Sequence, residues 1–230
     1  KTLGMIFQKA STRTRVSFET GIYQLGGYGL FLSSHDLQIG RGEPVEDTAR
    51  VLSRYLDGIM IRTFDQEEVE TLARVGSIPV INGLTDFCHP CQVLADLMTV
   101  REHKGILEGL KMAYIGDGNN MANSLIVGGL KTGMRVAAAC PDGYRTAKEV
   151  LDFTADFGDA FTGDCLEAAA GADVIFTDVW ASMGQEGEAE KRRAAFKGYQ
   201  VNGALLAAAN PGCMVQHCLP AHRGEEITAE

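Results

Sequence analysis

Short apolar runs alternate along this chain with stretches whose apolar positions recur at helical spacing. Met5 to Phe7 reads as a strand, and the segment after it, with Phe18, Ile22 and Leu25 on one face and Gly26-Gly27 closing it, reads as a helix. A strand at Gly29 to Leu32 follows, then a helix from Pro44 to Leu56 with Val45, Ala49, Leu52 and Leu56 inward. Gly58 to Ile61 (strand), Glu67 to Ala73 (helix) and Ile78 to Ile81 (strand) continue the series. A longer helix from Pro90 to His103, with Val93, Leu94, Leu97 and Met98 inward, runs into a Lys104-Gly105 break.

Beyond that break the pattern restarts. It predicts a strand at Met112 to Ile115, a Gly-rich turn, a helix to Lys131 and a strand at Arg135 to Cys140. Helices near Thr146 to Phe157 and Cys165 to Ala170 then alternate with a strand at Val174 to Thr177. A polar stretch, Gly184 to Arg193, precedes Leu205 to Ala209 and a strand at Met214 to Cys218. Such alternation signals βαβ units. The chain is therefore expected to be α/β, with two domains, 1–104 and 105–230, each a mainly parallel sheet flanked by helices, and an active site in the interdomain cleft where strand ends gather.

Composition narrows what such a fold could bind. The 230 residues are 45% hydrophobic, enough for packed cores, and 30 acidic against 21 basic residues give a net charge of −9. That balance argues against a nucleic-acid or anionic-membrane surface, so a small anion must be captured by local geometry. No apolar run approaches the ~18 residues of a membrane span. The six Cys residues are expected to be free thiols. Cys88-His89-Pro90-Cys91 has Cys-x-x-Cys spacing, but Cys213 with His217-Cys218 makes a poor second half-site, so no structural zinc is expected.

Four short motifs carry candidate chemistry. Ser11-Thr12-Arg13-Thr14-Arg15 stands where a strand gives way to a helix, and a helix start lined with hydroxyls and guanidinium groups binds phosphate. His89-Pro90-Cys91-Gln92 occupies another loop-to-helix junction; Pro suits the first helical position, leaving His89 and Gln92 able to face a ligand or simply to cap the helix. Asp178 ends a strand before Ser182-Met183-Gly184, and His217-Cys218-Leu219-Pro220 ends another. Gly116-Asp117-Gly118-Asn119-Asn120-Met121 has the look of a dinucleotide fingerprint with Asp142 as the ribose contact, but Met121 replaces its third Gly; presenting Asn119 or Asn120 to a small polar ligand fits better.

Taken in order, these motifs resemble the aspartate/ornithine carbamoyltransferase family over essentially the whole chain. Ser11 to Arg15 with Ser17-Phe18-Glu19 looks like its carbamoyl-phosphate motif and His89 to Gln92 like its second signature. Asp178 with Ser182-Met183-Gly184, and His217 to Pro220, resemble its ornithine branch. The resemblance implies transfer of a carbamoyl group from carbamoyl phosphate to the δ-amine of L-ornithine, with no cofactor and no metal. It implies that Ser11, Thr12, Arg13 and Thr14 hold the phosphate, Arg62 bridges phosphate and carbonyl, His89 polarises the carbonyl and Gln92 bonds the carbamoyl amide. Asn120, Asp178, Ser182 and Met183 would grip ornithine's α-amino and α-carboxylate groups. Cys218, with the Leu219 backbone, would lie near the reacting nitrogens and, with Asp178, favour the deprotonated amine. Gln38 would reach a neighbouring subunit, so a homotrimer or a multiple of it is implied. So is a place in arginine metabolism in the cytoplasm, or in the mitochondrial matrix for a eukaryotic source. Family chains carry further segments at both ends, so this sequence is expected to be a piece of its parent.

Overall fold

In the computed structural model, residues 1–157, 161–181 and 186–229 are described. By packing they form two compact units, Lys1–Cys91 and Gln92–Glu230. The first holds strands β1 (Thr2–Phe7), β2 (Tyr28–Ser33), β3 (Gly58–Arg62) and β4 (Val80–Leu84), all parallel, in the order β2-β1-β3-β4. Helices α1 (Thr12–Gln24), α2 (Val45–Leu52) and α3 (Gln66–Val75) connect them. Successive strand residues face opposite sides. Leu3, Met5 and Phe7 of β1 accordingly join Met60, Phe18 and Ile22 on one face, while Ile6 joins Ile59, Ile61, Ala49 and Leu72 on the other.

Helix α4 (Pro90–Lys104) leads into the second unit, a parallel sheet in the order β7-β6-β5-β8-β9. Its strands are β5 (Lys111–Ile115), β6 (Arg135–Ala139), β7 (Phe161–Thr162), β8 (Val174–Thr177) and β9 (Met214–His217). Helices α5 (Asn120–Lys131), α6 (Lys148–Thr154), α7 (Cys165–Ala169), α8 (Ala189–Ala195) and α9 (Gly203–Ala208) lie between them. Met112, Tyr114, Val174 and Phe176 pack with α4 and α5, whereas Ala113, Ile115 and Ile175 pack with α7 and α9.

Helix α1 starts and stops for an identifiable reason. Ser11 caps α1, its Oγ accepting from the Thr14 N–H at 3.2 Å. At the other end Gly26, with φ +76°, lets its N–H reach Tyr23 O and the Gly27 N–H reach Ile22 O, a Schellman stop. Leu25, expected on the inner face, is instead the exposed C-cap residue.

Three other expectations shift. The Pro44–Leu56 helix ends at Leu52, although Leu56 stays in the core through the following turn. In α4 the inward face is Val93, Asp96, Leu97 and Val100, while Leu94 and Met98 are 68% and 58% exposed. That face packs on the β5–β8 layer, and the packing division at Cys91/Gln92 falls within the first turn of α4. The polar stretch before Phe196 contains α8, and the short strand β7 was not legible as one.

Candidate active site

In the first unit the groups expected to take phosphate gather where β1 and β3 end. Thr12 and Arg13 are exposed in the first turn of α1 beside the Ser11 cap, and Ser11 Oγ and Thr14 Oγ1 lie 3.1 Å apart. Phe7 and Arg62 are register partners at the strand ends, so the buried Arg62 side chain comes up beside α1 and its Nη1 donates to Thr14 Oγ1 at 3.3 Å. Arg15 is directed elsewhere: its guanidinium lies 3.7 Å from the Phe31 ring centroid and bonds Glu19 at 3.0 Å. Lys9, buried in the same loop, pairs with Asp86 across to the turn after β4 and sits 4.4 Å from the Phe64 ring centroid.

His89 closes this half. Burial, and then the Arg62 guanidinium, push its imidazole down to about 4. It is therefore neutral at physiological pH, able to donate one N–H without carrying charge. The turn holding it is pinned by Thr85, whose Oγ1 accepts from the N–H groups of Phe87 and Cys88 and whose own N–H gives to Cys88 O at 2.8 Å. Gln38 stands exposed in a 3-10 turn, Gln38–Arg41, that Leu37 anchors to the core.

The second unit builds its cluster from loops after three adjacent strands. Asn119, after β5, accepts with Oδ1 from the N–H groups of Met121 and Ala122, capping α5, and donates with Nδ2 to Asp178 Oδ2 at 2.8 Å. Asp178, after β8, takes a second bond on Oδ1 from its neighbour's N–H (Val179, 2.8 Å) and a third from the Cys218 thiol at 3.1 Å. Burial, and then the Asp178 charge, push the Cys218 thiol strongly up. Cys218 is thus a neutral S–H donor and not a thiolate base. With Asn119 spent on the cap and on Asp178, Asn120 is the half-buried first residue of the helix beside them. Leu219 follows with φ +61°, its N–H bonding His217 Nδ1 at 2.8 Å. Ser182 and Met183 lie outside the described residues.

Three residues without an assigned role in the sequence reading, Asp96, Asp117 and Arg192, support this cluster. Asp96, buried on the apolar face of α4, accepts from Gln92 Nε2 at 2.8 Å. Burial, with Asp178 adding to it, pushes its carboxyl up to about 6. Its only signal was an acid at helical spacing among Val93, Leu97 and Val100. Asp117 and Arg192 form a buried pair at 2.8 Å, and the same Arg192 Nη1 donates to Trp180 O at 2.9 Å. Burial pushes the Asp117 carboxyl up to about 6 even though the guanidinium opposes it. Arg192 so ties the glycine turn after β5 to the segment after β8. Gly118 in that turn is obligatory by contact, since a Cβ would meet the Arg145 carbonyl carbon and the Thr146 nitrogen, each at 2.3 Å.

The other readings find different uses for their residues. Met121 is packed in the core, and Asp142 is fully exposed, 3.6 Å from Arg145. Among the described residues Asp178, His217 and Cys218, and separately His222, Glu225 and Glu226, have donor atoms close enough to share a cation. Protein hydrogen bonds already engage them: Cys218 gives to Asp178, and Glu226 Oε1 takes His217 Nε2 and the His222 N–H. Cys88 and Cys91 bond Gln66 and Asn82.

Comparison with known proteins gives this arrangement a lineage. The family model described as the carbamoyl-P binding domain of aspartate/ornithine carbamoyltransferase matches residues 1–102, and its Asp/Orn binding domain matches 108–230, leaving the Lys104-Gly105 break between them. The ornithine carbamoyltransferase of Oceanobacillus iheyensis is 63% identical over 235 residues, a match covering 100% of this chain and 73% of that protein. That of Thermococcus kodakarensis is 58% identical, covering 99% and 74%. The solved ornithine carbamoyltransferase from Pyrococcus furiosus superposes with a TM-score of 0.93 at 55% identity, over 100% of this chain and 75% of that one. The Giardia lamblia ornithine transcarbamoylase gives 0.85 at 35% identity, over 100% and 76%. With both domain models matched in order and the phosphate-type and carboxylate clusters in the halves those models describe, this chain belongs to the aspartate/ornithine carbamoyltransferase family.

Proposed function

We infer that the chain transfers the carbamoyl group of carbamoyl phosphate to the δ-amine of L-ornithine, giving L-citrulline and phosphate. The observation that carries the choice of ornithine is the buried Asp178 carboxylate, held by Asn119 and Cys218 at the strand ends of the second unit. A fixed negative charge there suits a substrate with an ammonium group and opposes an acidic one such as aspartate.

Ser11, Thr12, Arg13 and Thr14 take the phosphate, with Arg62 bridging phosphate and carbonyl oxygens. His89 donates to the carbonyl oxygen and Gln92 bonds the carbamoyl amide. Asn120, Asp178, Ser182 and Met183 hold the amino-acid end of ornithine. The neutral δ-amine attacks the carbonyl carbon, the oxygen gains charge that Arg62, Arg13 and His89 stabilise, and the carbon–oxygen bond to phosphate breaks as the amine's proton passes to the leaving phosphate. A neutral His89 keeps its donor in place across the working pH range. Cys218, as a thiol, orients Asp178, and with the Leu219 backbone it lines the reacting end. Gln38, exposed on its turn, reaches a second subunit in a trimer. Six free thiols suit the reducing cytoplasm, where the reaction serves arginine metabolism.

Ureido-product formation with carbamoyl phosphate and, separately, ornithine, acetylornithine, putrescine and aspartate tests this. Citrulline from ornithine alone is the expected result. Product from another amine would keep the Ser11 to Thr14 site and overturn the Asp178 assignment.

A further inference from the structure

Carbamoyl transfer uses His89 and leaves the two cysteines around it without a part. Cys88 follows β4 through the Thr85 turn, Pro90 is the first residue of α4, and Cys91 is in its first turn. Strand, turn, Cys-x-Pro-Cys, helix is an arrangement that α/β proteins use for dithiol–disulfide chemistry. Both sulfurs lie against one residue: Cys88 Sγ is 3.2 Å from Asn82 Nδ2, and Cys91 Sγ donates to Asn82 O at 3.2 Å. Cys88 Sγ also donates to Gln66 Oε1 at 3.4 Å. Asn82 Oδ1 is buried with no hydrogen-bond partner among the described residues, and Gln66 Oε1 also takes Asn82 Nδ2 at 3.3 Å and Thr85 Oγ1 at 2.9 Å, so both thiols sit on one small polar cluster. Neither cysteine is fully buried, whereas Cys140 is.

We propose that Cys88 and Cys91 form a reversible disulfide across the His89 turn, by exchange with a small disulfide such as oxidised glutathione, and that the bridge switches the carbamoyl-phosphate half off. One cysteine, as thiolate, attacks a glutathione sulfur and releases one glutathione. The second attacks the protein sulfur of that mixed disulfide and releases the other. Two thiols lose two electrons and two protons, and one glutathione disulfide becomes two glutathione thiols. Closing an S–S bond of about 2.05 Å takes both sulfurs off Gln66 and Asn82 and pulls the two residues between them, His89 and Pro90, with it. Burial holds both thiols above their ordinary range, so exchange is slow near neutrality and quickens as pH rises.

Only the functional consequence rests on the carbamoyl-transfer reading. The chain is incubated with oxidised glutathione at mildly alkaline pH, alkylated, digested and weighed, with turnover followed in parallel. Expected are a peptide joining Cys88 to Cys91 that lacks two hydrogens and carries no glutathione, a fall in turnover of about 10- to 100-fold, and recovery with dithiothreitol. Cys88→Ser or Cys91→Ser should stop at a mixed disulfide carrying one glutathione. Absence of the bridged peptide overturns the proposal, and so does a bridged chain with unchanged turnover and carbamoyl-phosphate KM. The mass readout is independent of turnover. A reduced chain that makes no citrulline would count against the reaction, not the bridge.

Discussion

In the first unit, the groups expected to take phosphate come from one end of one helix and the strand beside it: Ser11 to Thr14 are consecutive, and Arg62 reaches them through strand register. In the second, Asn119, Asp178 and Cys218 come from three loops far apart in the chain and meet only because β5, β8 and β9 are neighbours in the sheet. The charge differs as well. The first half buries a guanidinium beside a neutral imidazole; the second buries Asp178, Asp96 and Asp117. A helix start can receive an anion with backbone groups it already has. A site for an amine must bury carboxylates, and each of them must be bonded to stay there. The amino-acid half therefore depends on a supporting network, and the phosphate half much less.

The largest expected effect tests that dependence. Arg192→Met leaves Asp117 buried without its ion partner and Trp180 O without its donor, and should cost about 3–5 kcal/mol of unfolding free energy by denaturant titration. Adding Asp117→Asn should return part of it. A single variant as stable as the parent would mean the second unit does not need the pair. Next is Arg62→Met, which removes charge stabilisation from the carbonyl oxygen and should lower turnover about 10²- to 10³-fold while leaving the ornithine KM near the parent value. Asp178→Asn is the mirror experiment. It keeps the shape and loses the charge, so the ornithine KM should rise about 10- to 100-fold, the loss of a hydrogen bond to a charged group. The carbamoyl-phosphate KM should hold. If both KM values moved together in either variant, the division of labour between the halves would be wrong.

The same contrast explains what could be read from the sequence. Ser11 to Thr14 and the His89 turn are local signals, because capping and helix-start chemistry are set by neighbouring residues, and they stand where expected. The strand–helix alternation likewise gave both parallel sheets. Asp96 was missed because a charged residue in a helical pattern reads as solvated, and Arg192 because it stood in a polar stretch, where only Asp117 and the Trp180 carbonyl, distant in the chain, turn it inward. Leu94 and Met98 were misplaced by the same helix: Asp96 takes part of the inner face that apolarity alone assigned to them. Asn119 and Asn120 are adjacent and chemically identical, and what separates them is the β-region backbone that makes Asn119 the cap.

The smallest effect is a pH dependence in which the halves oppose each other. His89 falls from its usual 6.5 to about 4 in the folded chain. Between those values the unfolded chain binds the extra proton, so this residue makes stability rise with pH. Asp96 goes the other way, from 3.8 up to about 6: the folded chain binds the extra proton in that window, and stability falls as pH rises through it. Each slope is at most about 1.4 kcal/mol per pH unit, and over the shared range, roughly pH 4 to 6, they offset one another. Asp117 adds to the Asp96 side. Denaturant titrations across that range should therefore show stability falling modestly with rising pH in the parent, a steeper fall in His89→Gln, and a nearly flat profile in Asp96→Asn. Identical profiles in all three would mean that neither group is held in the protonation state its burial dictates, and the electrostatic contrast between the two halves would have to be given up.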